Sequence, residues 1–216
     1  MIKSFPYRLY LVTDEALCLG RDFFWVVEEA IKGGVDLVQL REKNLGMEAF
    51  IQKAIRLKEI CEKYRVPLII NDSVAVAQAV NADGLHIGQN DTSIFSAKKI
   101  LGIDYPIGLS LEKKEELYQA QAKEAWYFGI SPIYSTPTKT DTFFEWGLQG
   151  LADMRRSTDK KLIAIGRVKE SNAAEIISHG ADCLAVVSGI CSASAPAKAA
   201  EALRIEIEKG LKQQLW

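Results

Sequence analysis

The feature that most limits what this chain can become is its alternation. Short apolar runs ending in Gly, Asn, Asp or Ser recur eight times, and each is followed by a longer stretch with apolar residues three or four apart. The first pattern is that of a buried strand and the second that of an amphipathic helix. Strands are predicted over 8–13, 35–40, 67–71, 84–87, 107–110, 126–130, 162–166 and 183–188. Helices are predicted over 23–32, 47–64, 74–80, 93–101, 112–123, 148–156, 171–178 and 196–209. The turns Gly33-Gly34-Val35-Asp36, Asn81-Ala82-Asp83-Gly84 and Gly180-Ala181-Asp182 resemble one another, each ending a helix with a residue suited to a left-handed cap. Strict alternation favours a parallel sheet covered by helices. Eight units in 216 residues, a little below the ~250 usual for the fold, predict an α/β protein built as a single (β/α)8 barrel over 1–216, with its active site at the carboxyl ends of the strands. An open doubly wound sheet is the alternative. It is weakened by Thr13-Asp14-Glu15, which stands after the first strand where a glycine-rich dinucleotide turn would be needed.

Composition narrows the function. Lys and Arg total 27 against 28 Asp and Glu, a formal charge of -1 that supplies no excess for nucleic acid. The longest uncharged run, 183–197, is broken by Gly, Ser and Pro and is too short for the ~18 apolar residues of a membrane span. Cys18, Cys61, Cys183 and Cys191 form no CxxC pair and, with two histidines, no recognisable zinc cluster, so free thiols in a reducing cytosol are expected. The first fourteen residues carry no apolar stretch of signal-peptide length, and a cytoplasmic location is expected. A homo-oligomer stays open.

In such a barrel, the polar residues just past each strand matter most. In Gln39-Leu40-Arg41-Glu42-Lys43, strand periodicity sends Gln39, Arg41 and Lys43 to one face and Leu40 to the other. A guanidinium and an ammonium converging on the barrel mouth suit a phosphate or pyrophosphate, although a solvated loop neutralised by Glu42 explains the same residues. Asn71-Asp72 ends the third strand, and Asp91 follows the fourth. Two carboxylates at adjacent strand ends, ~4.8 Å apart, suit a shared Mg2+ completed by water and phosphate oxygens. Taken singly, Asp72 and Asp91 read better as helix caps.

His86, inside a strand, reads as packed rather than catalytic, and His179 as a helix-end residue. Ser110 closes the fifth strand as a ligand donor or a cap. The segment 131–142 is the longest without regular structure and reads as a lid or as a polar surface loop. Gly166 and Ser188-Gly189 end the last two strands, where barrels often hold a phosphate.

Taken together and in order, Gln39 to Lys43, Asn71-Asp72, His86-Ile87-Gly88-Gln89 with Asp91, Thr136-Pro137-Thr138-Lys139, Ala164-Ile165-Gly166 and Val186-Val187-Ser188 closely resemble the thiamine phosphate synthase family. The resemblance implies a (β/α)8 barrel that joins 4-amino-2-methyl-5-hydroxymethylpyrimidine diphosphate to 4-methyl-5-(2-phosphoethyl)thiazole, releasing pyrophosphate, with Mg2+ as cofactor. It implies that Gln39, Leu40, Arg41, Glu42, Lys43, Asn71, Ser110 and Lys139 contact the pyrimidine diphosphate and that Asp72 and Asp91 hold the metal. Arg41, Lys43 and Lys139 would stabilise the departing pyrophosphate. Thr136, Pro137, Thr138, Gly166, Val187 and Ser188 would surround the thiazole phosphate. Three positions depart from the family pattern: Ser131 and Arg167 stand where glycine is usual, and Glu112 where histidine or threonine is. The related thiazole tautomerases use a histidine at the place of Glu112, which favours the synthase; a non-catalytic sensor of phosphorylated precursors is the third reading.

Overall fold

The computed structural model describes residues 4–135 and 145–214. Its eight strands, β1 (Leu9–Val12), β2 (Leu37–Leu40), β3 (Leu68–Asn71), β4 (Gly84–Ile87), β5 (Ile107–Leu111), β6 (Tyr127–Ile130), β7 (Lys161–Ile165) and β8 (Cys183–Val186), are parallel and close into a barrel in sequence order. The seam joins β1 to β8, with Leu9, Tyr10 and Leu11 opposite Leu184, Ala185 and Val186. Around them run α1 (Phe23–Lys32), α2 (Met47–Tyr64), α3 (Val74–Ala79), α4 (Ile94–Leu101), α5 (Ala120–Glu124), α6 (Gly147–Ser157), α7 (Glu170–Ser178), α8 (Ser188–Cys191) and α9 (Pro196–Gln213). This is the (β/α)8 TIM barrel that the alternation predicts.

Period-two alternation divides each strand between two cores. Leu9, Leu11, Val38, Leu40, Leu68 and Ile70 face outward into the layer shared with the helices, whereas Tyr10, Val12, Leu37 and Ile69 fill the barrel. Each fully buried Leu or Ile contributes ~1.5–3 kcal/mol of transfer free energy. The helices start where the sequence provides a cap. Asp22 accepts from the Trp25 N–H at 2.7 Å, Ser73 from Val76 at 3.3 Å and Ser93 from Ser96 at 3.2 Å, each worth about 1 kcal/mol.

The three similar turns have a common task at the amino rim. Gly34, Asn81 and Gly180 take the left-handed conformation expected of them. The aspartate that follows then reaches back to the preceding strand. Asp36 accepts the Leu9 N–H at 2.9 Å, Asp83 the Leu68 N–H at 2.9 Å and Asp182 the Leu162 N–H at 2.9 Å. Arg204 also pairs with Asp36 at 2.6 Å, and Arg155 and Lys161 pair with Asp182 at 2.9 and 2.8 Å. Below them Phe5 closes the interior, its ring 5.0 Å from that of Trp126 and 5.3 Å from that of Tyr127.

The structure corrects the sequence reading in three places. The helix expected over 112–123 is a 3-10 turn, Lys114–Tyr118, followed by the short α5, with Gln119 extended between them. Ala122 is the one buried residue in those two turns, too little apolar surface to hold a continuous helix on the barrel. β8 stops at Val186 rather than Ser188, because Ile190 and Cys191 are buried by turning into α8. The last helix runs on to Gln213, with Gly210 buried against α7. All four cysteines are free and buried. Among the described residues no helix is long and apolar enough to cross a membrane.

Candidate active site

A cleft of about 300 Å3 opens at the carboxyl rim of the strands. The end of β2 supplies its cationic wall. Gln39 is 4% exposed and donates through Nε2 to the Tyr10 hydroxyl at 2.7 Å. Beyond it the chain is held by Thr13, which gives its N–H to the Gln39 carbonyl at 2.9 Å and takes the Arg41 N–H on Oγ1 at 3.2 Å. Arg41 and Lys43 thereby line the cleft with Gln39. The two residues between them do not. The Leu40 side chain is fully buried in the outer core, and Glu42 pairs with Lys53, which also takes Glu15 at 2.6 Å. Both side chains are held by the protein away from the cleft, Leu40 by strand parity and Glu42 by its lysine.

Next to this wall stand the acids. Lys43 Nζ lies 2.6 Å from Asp72 Oδ2. Asp72 has φ 61, a left-handed turn uncommon for a residue with a side chain, and it brings the carboxylate to the cleft directly after Asn71. Asp91 accepts the Gly88 N–H at 2.7 Å. Desolvation at the cleft wall, together with the Asp72 carboxylate beside it, raises Asp91 above the ordinary carboxylate range, against the lowering effect of the Gly88 N–H. Neither aspartate caps a helix, since Ser73 and Ser93 do that work. Among the described residues no group of three or more His, Cys, Asp or Glu side chains is placed to hold a metal.

Across the cleft, Ser110 Oγ is 2.9 Å from His86 Nε2, while Gln89 Nε2 donates to the Ser110 carbonyl at 2.6 Å. Glu112 also lines the cleft. His179 sits away from it at the end of α7, its Nδ1 2.7 Å from the Glu175 carbonyl. The ends of β7 and β8 complete the wall with Gly166, Arg167, Val187 and Ser188. Gly166 has φ 114, and a Cβ there would lie 2.8 Å from Pro132 Cβ and 2.9 Å from the Ile133 nitrogen, so the turn admits no other residue without moving its neighbour. Arg167 follows at φ 52 with its side chain exposed. Ser131 is buried at the same rim. Thr136, Pro137, Thr138 and Lys139 lie outside the described residues.

Sequence reasoning brings Gln39, Arg41, Lys43, Asn71, Asp72, Asp91, Ser110, Gly166, Val187 and Ser188 to one cleft. It missed Tyr10, Thr13 and Tyr127, which line the same space. Tyr10 and Tyr127 read as core aromatics in apolar strands; their inward parity is the signal that would have found them.

Residues 9–190 match the family model for thiamine monophosphate synthase. The thiamine-phosphate synthase of Albidiferax ferrireducens is 45% identical over 197 residues, covering 91% of this chain and 90% of that protein. That of Leptospira biflexa is 46% identical over 200 residues, covering 91% and 95%. The solved structure of a thiamine phosphate pyrophosphorylase from Pyrococcus furiosus superposes with a TM-score of 0.86 at 32% identity, over 95% of this chain and 98% of that one. Similarity that begins at the first strand and continues past the eighth, at these identities, makes the chain a member of the thiamine monophosphate synthase family.

Proposed function

We propose that this chain is a thiamine-phosphate synthase that joins the pyrimidine diphosphate to the thiazole phosphate at this cleft and releases pyrophosphate. One observation carries the site assignment: Arg41, Lys43, Asp72 and Asp91 share one wall, with Lys43 Nζ 2.6 Å from Asp72. The reaction breaks the bond between the pyrimidine methylene carbon and a diphosphate oxygen, leaving the electron pair on the diphosphate. The thiazole nitrogen then supplies the pair for the new carbon–nitrogen bond. Negative charge grows on the leaving group, so Arg41 and Lys43 hold it more tightly in the transition state than in the substrate. Lys139 joins them on the strength of the sequence resemblance. No side-chain nucleophile is needed.

The donor set at the acidic wall fits Mg2+. Asp72 and Asp91 are like charges placed side by side, an arrangement that favours a shared cation. Mg2+ takes one or two carboxylates and fills its shell with water and phosphate oxygens. Asp72 and Asp91 would hold it, and when bound it would neutralise charge on the diphosphate. Asn71, Ser110 and Gln39 orient the pyrimidine. Gly166, Val187 and Ser188 offer a close-approach turn for the thiazole phosphate, with Thr136, Pro137 and Thr138 joining them by resemblance alone.

The test uses the purified protein with both substrates and Mg2+, following thiamine monophosphate and pyrophosphate. Equal release of the two is expected. Tight binding without product would turn the reading toward a sensor, and isomerisation of the thiazole alone would turn it toward a tautomerase using Glu112.

A further inference from the structure

Beneath the cleft a line of polar groups crosses the barrel. Gln39 Nε2 is 2.7 Å from the Tyr10 hydroxyl, the Tyr10 and Tyr127 hydroxyls are 3.0 Å apart, and the Tyr127 hydroxyl is 2.9 Å from His86 Nδ1. His86 Nε2 then lies 2.9 Å from Ser110 Oγ. Tyr10 and Tyr127 are 1% and 0% exposed, and each hydroxyl has its hydrogen-bond partners within this line.

Elementary accounting of donors gives the line a direction. An amide nitrogen only donates, so the Tyr10 oxygen accepts from Gln39. Its own proton then has the Tyr127 oxygen as its acceptor, and a buried hydroxyl left without one is costly. Tyr127, having accepted, gives its proton to His86 Nδ1. The imidazole therefore carries its hydrogen on Nε2 and donates to Ser110, whose own hydroxyl proton is left for the cleft. With the Gln39 amide nitrogen toward Tyr10, running the line the other way strands the Tyr10 proton. Burial pushes both phenols up, which keeps them protonated donors.

The register of the barrel provides room for this line. His86 pairs with Gly108 and Gly108 with Tyr127, so the Tyr127 ring passes over a residue without a side chain to reach the histidine. A Cβ on Gly108 would lie 2.1 Å from Tyr127 Cζ, and one on Gly129 would lie 3.2 Å from His86 Cε1. The two rings stack with centroids 5.5 Å apart and planes 15° from parallel.

We propose that Tyr127 is a positioning residue: through this one-way chain it holds His86 as the Nε2–H tautomer, fixing Ser110 as a hydrogen-bond donor toward the substrate in the cleft. The kinetic part rests on the reading that the cleft receives the pyrimidine diphosphate; the tautomer does not.

The chain has two histidines, so 15N-histidine NMR of the whole protein resolves both. His179, with Nδ1 against a carbonyl, supplies an internal contrast as an Nδ1 donor. Expected for His86 is a protonated Nε2 and a bare Nδ1. In Tyr127→Phe this preference is lost, and KM for the pyrimidine diphosphate rises about tenfold while kcat changes less than about twofold, the loss of one oriented hydrogen bond. In Tyr10→Phe the His86 tautomer is retained, because Tyr127 still has Nδ1 as its acceptor. A wild-type His86 protonated on Nδ1 overturns the proposal without any variant. So does Tyr127→Phe with its tautomer unchanged, or with the tautomer lost and KM unmoved. A protein that shows the predicted tautomers but makes no thiamine monophosphate refutes the synthase reading and leaves the chain of hydrogen bonds standing.

Discussion

The two rims of the barrel use the same residue types to opposite ends. At the amino rim Asp36, Asp83 and Asp182 are spent on strand N–H groups, and Asp36 and Asp182 are also paired with arginines. At the carboxyl rim Asp72 and Asp91 are set beside each other, Asp72 takes an unfavourable φ, and Lys43 is 52% exposed. The lower charges bind the protein to itself. The upper ones are crowded together and face the cleft, with Lys43 paired to Asp72 but half exposed, the trade expected where charges are held for a guest.

Substitutions at the two rims should therefore separate rate from stability. The largest effect is expected at the top: Lys43→Ala and Asp91→Ala each lower kcat/KM by about 10²- to 10³-fold in the two-substrate assay, the scale for losing one group that stabilises developing charge. Thermal melts of both should stay within about 2 °C of the parent; near-normal rates in both would remove these residues from the site. Asp182→Ala is the mirror image. It takes the carboxylate from Arg155 Nη1, Lys161 Nζ and the Leu162 N–H at once, and urea unfolding should show a loss of about 3 kcal/mol with kcat/KM unchanged. The smallest effect is at Arg167, a side chain of the upper rim on a backbone at φ 52. Arg167→Gly should raise stability by about 0.5 kcal/mol by relieving that conformation, and raise KM for the thiazole phosphate about threefold by removing an exposed charge. A variant with lower stability and unaltered KM would place Arg167 with the structural charges of the amino rim instead.

How much of this was legible in the sequence follows from how local each signal is. Strand and helix periods are local, and the barrel followed from them, as did the parity that aims Gln39, Arg41 and Lys43 together and Leu40 away. The caps of α3 and α4 were ambiguous because Asp72 and Ser73, or Asp91 and Ser93, are adjacent or nearly so; the structure gives the caps to the serines and frees the acids. The broken helix after β5 was not legible, since its charged residues have good helix propensity and what they lack is a surface to bury. Least legible was the line from Gln39 to Ser110. It joins β2, β1, β6, β4 and β5, and it depends on Gly108 and Gly129 being empty at positions that matter only once the register is known.

Phe5 has a consequence beyond packing. Because that ring seats against Trp126 and Tyr127, the cylinder has an aromatic floor, and the cleft lies at its opposite, carboxyl end. A molecule that enters that cleft therefore meets the line from Gln39 to Ser110 from above, with packed side chains behind it.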